Sequence, residues 1–164
     1  MDQTALYAEI EAEFGAALSR LARAYEADAD KRRDLLQEIH LQIWRSLDKF
    51  EGQCSTRTWI YRVAHNVGAS HVIRERRTYA SLVTLDELEG MASPPVADRA
   101  AALDKLGVLI RHLKPIDRQV IVMYLEDCDA KSIGEVVGLS PANVAMKIHR
   151  IKNLLARRYW NNGR

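Results

Sequence analysis

The chain offers almost no thiol or metal chemistry. It has two cysteines, Cys54 and Cys128, far apart in sequence. No Cys-x-x-Cys pair and no His/Cys cluster of ligand spacing is present, which argues against zinc. Two lone thiols suit a reducing compartment, though two could also pair with each other. Cys54 is expected to be a free, inert thiol, because reactivity needs a depressed pKa that nothing local signals. The histidines, His40, His65, His71, His112 and His149, stand singly and are expected to be surface or satisfied core residues. No apolar run approaches the roughly 20 residues needed to cross a bilayer. The opening "MDQTALYAEIEAEF" is acidic and lacks the apolar core of a signal peptide. There is no phosphate-binding glycine loop and no nucleophile–base pair in a recognisable setting, so an enzyme is not expected, nor is a cofactor. No strand alternation and no internal repeat is visible, and glycine (8) and proline (4) are scarce among 164 residues.

What remains is rich in Ala, Leu, Arg and Glu, residues that favour helices. The composition is 48% hydrophobic and 28% charged, as in soluble globular proteins. Net charge is only +2, but it is blocked. Residues 1–30 hold seven acids and two arginines, whereas 31–77 hold ten basic and five acidic residues. Residues 78–98 hold four acids and neither Lys nor Arg, and 99–164 hold twelve basic and six acidic residues. Alternation of this kind points to separate surfaces for separate partners.

Apolar spacing predicts helices over 4–26 (Leu6, Ile10, Phe14, Leu18, Leu21, Tyr25), 31–48 (Leu35, Leu36, Ile39, Ile43, Trp44, Leu47) and 57–77. Gly52 breaks the loop 49–55, and Ser55 or Thr56 can cap the third helix. Its apolar stripe is expected at Trp59, Ile60, Val63, Val67 and His71. A polar ladder of Arg62, Asn66, Ser70, Arg74 and Arg77 lies opposite. Residues 78–98, with a Pro-Pro pair, a glycine and no cation, read as a flexible linker with a helical turn near 85–89. Helices 99–112, Pro115 to about Glu126, 131–137 and 141–158 follow. The expected fold is all-α: two small helical domains, 1–77 and 99–164, joined by the linker.

Residues 138–158, "GLSPANVAMKIHRIKNLLARR", contain no acid. Gly138 stops helix 131–137, Ser140 can cap the next helix and Pro141 takes its first position. Ile133, Val136, Val137, Leu139, Val144, Ile148, Ile151 and Leu155 supply packing, which is the grammar of a helix-turn-helix. The face left over presents Ala142, Asn143, Met146, Lys147 and Arg150. Asn can bond an adenine edge, and Lys or Arg a guanine edge or a phosphate. Small Ala142 lets the helix start approach DNA, where its dipole favours phosphate. A plain polar helix end, with cations offsetting the dipole, would show some of the same charge.

The first half carries further motifs: Asp34, Leu35, Gln37, Glu38 and Trp44 in helix 31–48, "KFEG" in the loop, "TWIYRVAHN" from Thr58 to Asn66, and a basic end from Arg74 to Arg77. These resemble the second conserved region of bacterial RNA polymerase sigma factors of the extracytoplasmic-function group, within the sigma-70 family. "LKPIDRQVIVMYLED" and "SIGEVVGLSPANVAMKIHRIKNLL" resemble that family's fourth region. The resemblance implies a promoter-specificity subunit with core RNA polymerase, promoter DNA and an anti-sigma factor as partners, in the cytoplasm, without membrane insertion. It implies polymerase contacts at Asp34, Leu35, Gln37, Glu38, Leu41 and Trp44. Contacts to the −10 element are expected at Phe50, Gln53, Arg62, Asn66, Arg74, Arg76 and Arg77. Contacts to the −35 element are expected at Lys131, Ser140, Pro141, Ala142, Asn143, Met146, Lys147 and Arg150. Phe50 suits stacking on an unpaired base and equally suits closing the loop as a core residue. Trp59 is expected in the core, and Trp44 is expected to be shared between core and polymerase.

The chain departs from the family pattern in places. Arg32-Arg33-Asp34 stands where Ala-Glu-Asp is usual, and His40 where Phe is usual. Asn143 and Met146 replace a frequent Thr and Ser on the reading face, which predicts an unusual upstream element. Two other roles share the pattern. A stand-alone helix-turn-helix regulator would bind a two-fold symmetric site without polymerase. A sigma-like decoy would bind a partner without supporting transcription.

Overall fold

The computed structural model describes residues 2–75, 84–90 and 99–159, and among these the secondary structure is helical, with no strand. The chain divides into two compact units, Met1–Arg76 and Arg77–Arg164.

The first unit packs three helices mutually: α1 (Gln3–Tyr25), α2 (Ala29–Ser46) and α3 (Thr56–Arg74). Each begins at a side-chain cap that satisfies an otherwise orphaned amide. Asp2 accepts from the Thr4 amide, Asp28 from the amides of Asp30 and Lys31, and Ser55 Oγ from the Thr58 amide. A short 3₁₀ turn, Leu47–Lys49, ends α2. Ile10, Phe14, Leu18, Leu21 and Tyr25 meet Leu35, Ile39, Ile43 and Leu47 in the core, as their spacing predicts.

Helix α3 is rotated from the expected stripe. Its buried residues are Thr58, Ile60, Tyr61, Ala64, His65, Gly68 and Val72, whereas Trp59, Val63 and Val67 are only half-buried. The cause is close packing against the end of α1. A Cβ on Gly68 would lie 2.9 Å from the Tyr25 ring, so glycine admits that ring. Tyr25 Oη and His65 Nδ1 share a buried 2.7 Å hydrogen bond. His71, expected on the apolar stripe, instead pairs with Glu26 at 2.7 Å. Polar residues with partners outcompete valines for the buried face because the bundle satisfies them.

The second unit contains α4 (Leu85–Gly90), α5 (Arg99–His112), α6 (Pro115–Leu125), α7 (Ala130–Val137) and α8 (Pro141–Tyr159). Helix α6 touches α5, α7 and α8, and its Val120, Ile121, Val122 and Met123 form the centre of the core with Ile110, Leu113, Ile133, Val136, Val144, Ile151 and Leu154. Arg118 is 0% exposed. Its guanidinium donates to the carbonyls of Arg111 (2.6 Å) and Leu113 (2.8 Å), tying the end of α5 to α6. Helix α4, within the stretch expected as a linker, packs on α8 with Leu85 and Leu88 buried. That contact turns the buried side of α8 toward Leu154. Ile148 and Leu155, expected inside, are half-buried.

Candidate nucleic-acid and polymerase interfaces

In the first unit, α2 presents Asp34, Gln37 and Leu41 to solvent, with Leu41 39% exposed. Leu35 is not part of that surface. It is 3% exposed and holds α2 to the bundle, because its position belongs to the buried i, i+4 stripe with Ile39 and Ile43. Trp44 is half-buried, with its ring edge-on to Tyr7 at 5.3 Å and its carbonyl accepting from Gln3 Nε2 at 2.8 Å. Beside it, His40 Nδ1 lies 2.8 Å from Tyr7 Oη. Burial pushes the His40 imidazole below its ordinary 6.5 and pushes the Tyr7 phenol up, with Glu11 opposing the first shift and adding to the second.

A histidine lowered by folding stabilises the fold above its unfolded pKa, and that stability fades as pH falls through the folded value. The first unit is therefore expected to lose stability as pH drops below 6.5. His40→Phe, which restores the residue usual in the resembled family, is expected to flatten that part of the curve. Denaturation midpoints of both proteins across pH check it, and parallel curves would contradict it.

Between α2 and α3 lies an open groove of about 360 Å³, lined by Glu38, Gln42 and Ser46 on one side and Val63, Asn66, Val67, Ser70 and Arg74 on the other. It brings Glu38, expected at the polymerase surface, onto the same face as Asn66 and Arg74, expected at DNA. Gln42 donates to Glu38 at 2.8 Å, and the Ser46 hydroxyl donates to the Gln42 carbonyl. Gln42 and Ser46 were not among the expected site residues. The signal was a polar ladder at spacing four, Glu38–Gln42–Ser46, on a helix read for its apolar side.

The loop 50–55 turns at Gly52 (φ +76°), where the left-handed backbone suits glycine. Phe50 stacks on Trp59 with centroids 4.8 Å apart and planes 26° apart. Both are half-buried, so Trp59 is not a core residue and Phe50 already has an aromatic partner. Gln53 is exposed, and its Oε1 accepts from the Glu51 amide. Arg62 is half-buried and Arg74 exposed, while Arg76 and Arg77 lie outside the described residues.

In the second unit, Asp129 caps α7 through the Ser132 amide at 2.8 Å. Gly138 ends it in the left-handed conformation, φ +76°. The Gly134 carbonyl accepts from both Gly138 (2.8 Å) and Leu139 (3.2 Å), which closes the turn. Ser140 Oγ then caps α8 through the Asn143 amide at 3.2 Å. Lys131, Ser140, Pro141, Ala142, Asn143 and Met146 are exposed, with Met146 70% exposed, an unusual display for a large apolar side chain.

Two of the expected reading cations are held by acids. Lys147 Nζ lies 2.5 Å from Asp117 Oδ1, and Asp117 is buried at the start of α6. Arg150 donates from Nε to Glu89 Oε1 at 2.6 Å, from Nη2 to Glu89 Oε2 at 3.2 Å, and also to Asp86. The hydrogen bond from Arg150 holds the Glu89 carboxyl below its ordinary 4.5, and the two carboxylates raise the guanidinium further above its own. Asp117, Asp86 and Glu89 were missed because their partners lie 30 to 64 residues away.

The Sigma-70 region 2 family matches residues 12–78, and the Sigma-70, region 4 family matches 103–155. The chain is 36% identical over 63 residues to the RNA polymerase sigma-H factor of Pseudomonas aeruginosa, covering 38% of this chain and 33% of that protein. It is 26% identical over 147 residues to the ECF RNA polymerase sigma factor SigW of Bacillus subtilis (82% and 76%). It is 30% identical over 114 residues to the ECF RNA polymerase sigma-E factor of Escherichia coli (68% and 59%). Against the first and third of these, the match spans less than two thirds of the relative's length. Two solved structures share the fold. One is CnrH in complex with the cytosolic domain of CnrY, with a TM-score of 0.65, 22% identity, and coverage of 95% of this chain and 88% of that one. The other is the sigma factor RpoE of Bartonella quintana in complex with the anti-sigma factor NepR, with a TM-score of 0.61, 17% identity, and coverage of 91% and 95%. Two sigma-70 regions, in order and each seated on its own helical unit, place the chain in the sigma-70 family, in its extracytoplasmic-function group.

Proposed function

We propose that the chain is a promoter-specificity subunit that binds bacterial core RNA polymerase, recognises −10 and −35 elements, and promotes DNA melting. The observation that carries this is the exposed start of α8, a helix capped by Ser140, in one chain with a three-helix unit of the second sigma region. The helix-turn-helix unit, 99–164, reads the −35 element through Lys131, Ser140, Pro141, Ala142, Asn143 and Met146, with Lys147 and Arg150 at the far edge. Lys147 acts mainly by holding α8 to α6, since its charge is already committed to Asp117.

In the unit 1–77, Asp34, Gln37, Leu41 and the exposed part of Trp44 meet polymerase. The groove between α2 and α3 has the volume and polar lining to receive one unstacked base, edge-bonded by Asn66. Phe50, backed by Trp59, offers a stacking face, and Gln53, Arg62, Arg74, Arg76 and Arg77 follow the strand. Within the stretch 78–98, expected as the linker, Leu85–Gly90 belongs to the second unit as helix α4. The protein supplies binding energy rather than a chemical step of its own. An anti-sigma factor is a further partner, supported by two structural neighbours that were each solved with a bound protein, CnrY or NepR. The cytoplasm is the expected location. Among the described residues no helix is long and apolar enough to cross a membrane.

The test is transcription in vitro from fragmented genomic DNA, using purified bacterial core polymerase with and without the protein. Discrete new start sites sharing two upstream elements are expected. Asn143→Ala is then expected to lose about tenfold in discrimination at one base of the upstream element, the worth of one bidentate base contact. Core binding without transcripts would favour a decoy. DNA binding without core would favour a stand-alone regulator.

A further inference from the structure

We propose that α4 is an acidic strap that occupies Arg150 and must release it before α8 can use that residue on DNA. The inference rests on the DNA-reading role given to α8. Its basis is a docked helix that joins two kinds of contact. Leu85 and Leu88 are buried over a cradle lined by Ile110, Leu113, Ile151 and Leu154. On the same short helix, Asp86 and Glu89 face outward onto the guanidinium of Arg150. The leucines fall at i and i+3, as do the acids, so one turn of helix sets both contacts. The acids offer carboxylate oxygens to the same donors that a DNA phosphate or a guanine edge would take.

The lock is built to open. Asp86 is 82% exposed, Arg150 39% and Glu89 34% in their side chains, so water competes for each ion pair. The helix is only six residues long and cannot be stable off its cradle. Polyanionic DNA presented to α8 repels the acids and attracts the arginine, so binding and release are coupled.

The test is a mutant cycle in the full chain, read as affinity for a random-sequence duplex of about 30 base pairs, three helical turns. Asp86→Asn/Glu89→Gln is expected to bind about fivefold more tightly than the wild type, as one more cation becomes available to phosphate. In an Arg150→Gln background the same pair of changes is expected to give no gain. An equal gain in both backgrounds would mean only general relief of charge, and no gain in either would mean no strap; both results overturn the proposal. Hydrogen exchange on the wild type supplies the second reading. Duplex is expected to protect the first turns of α8 while loosening the Leu88 amide, which bonds to the Thr84 carbonyl at 3.0 Å. Protection of α8 with Leu88 unchanged overturns the strap alone. Absence of protection on α8 overturns the DNA-reading role and the strap together.

Discussion

Gly134→Ala is expected to destabilise the helix-turn-helix unit by about 3 kcal/mol, the upper end of ordinary overpacking. The added Cβ would stand against the Leu139 carbonyl oxygen, well inside any real contact. Leu139 carbon and Pro141 nitrogen follow at 3.5 and 3.8 Å, so the obstacle is backbone and cannot swing aside. Relief requires opening the turn, which breaks the Leu139 N–H bond to Gly134 and moves the start of α8. Gly138→Ala is the control. Its Cβ would meet nothing within 4 Å, and only the left-handed backbone (φ +76°) opposes it, a cost of roughly 1–2 kcal/mol. Hydrogen exchange at the Val136 and Ile151 amides of the full chain measures both. If Gly138→Ala proves the more damaging, close approach in the turn is not what selects glycine at 134. Promoter-dependent transcription is expected to fall with Gly134→Ala, because α8 can no longer be presented at a fixed angle.

Arg118→Ala is expected to cost about 3–5 kcal/mol, combining lost charge-assisted hydrogen bonds, orphaned carbonyls and a cavity. The carbonyls of Arg111 and Leu113 lie at the end of α5, where intrahelical donors run out. Pro115, the first residue of α6, has no N–H to offer them. The Arg118 guanidinium replaces those donors from inside the core. Arg118→Met separates packing from hydrogen bonding, since it fills much of the space without a donor. It is expected to remain about 2 kcal/mol below the wild type. Urea titration of the full chain, followed at amides of α6, decides between them. A Met variant as stable as the wild type would show that the two carbonyl contacts contribute nothing net.

Local signals in the sequence were enough for the helices and their ends. Ser55, Pro115, Gly138 and Ser140 act on backbone groups one to four residues away, so their roles can be read from neighbours alone. The spacing by four of Leu35, Ile39, Ile43 and Leu47 likewise told which side of α2 is buried, and Leu35 lies within that buried stripe. Helix α3 was less legible because its apolar and polar residues are spread around the helix. The choice between Val63/Val67 and Ala64/His65/Gly68 depended on Tyr25, some 40 residues earlier.

The candidate reading face divides in the same way. That Asn143 and Met146 are exposed at the start of a capped helix follows from spacing and turn chemistry, which act within a few residues. That Lys147 is committed to Asp117 and Arg150 to Asp86 and Glu89 could not be read locally, because charge carries no label of its partner across 30 or 60 residues. By itself the sequence determined an all-helical chain in two units, each matching one sigma-70 region, because periodicity, caps and turns are short-range. Only the tertiary structure decided which polar side chains share the groove between α2 and α3 and which cations of α8 are already held by acids. Those outcomes depend on packing between elements distant in the chain.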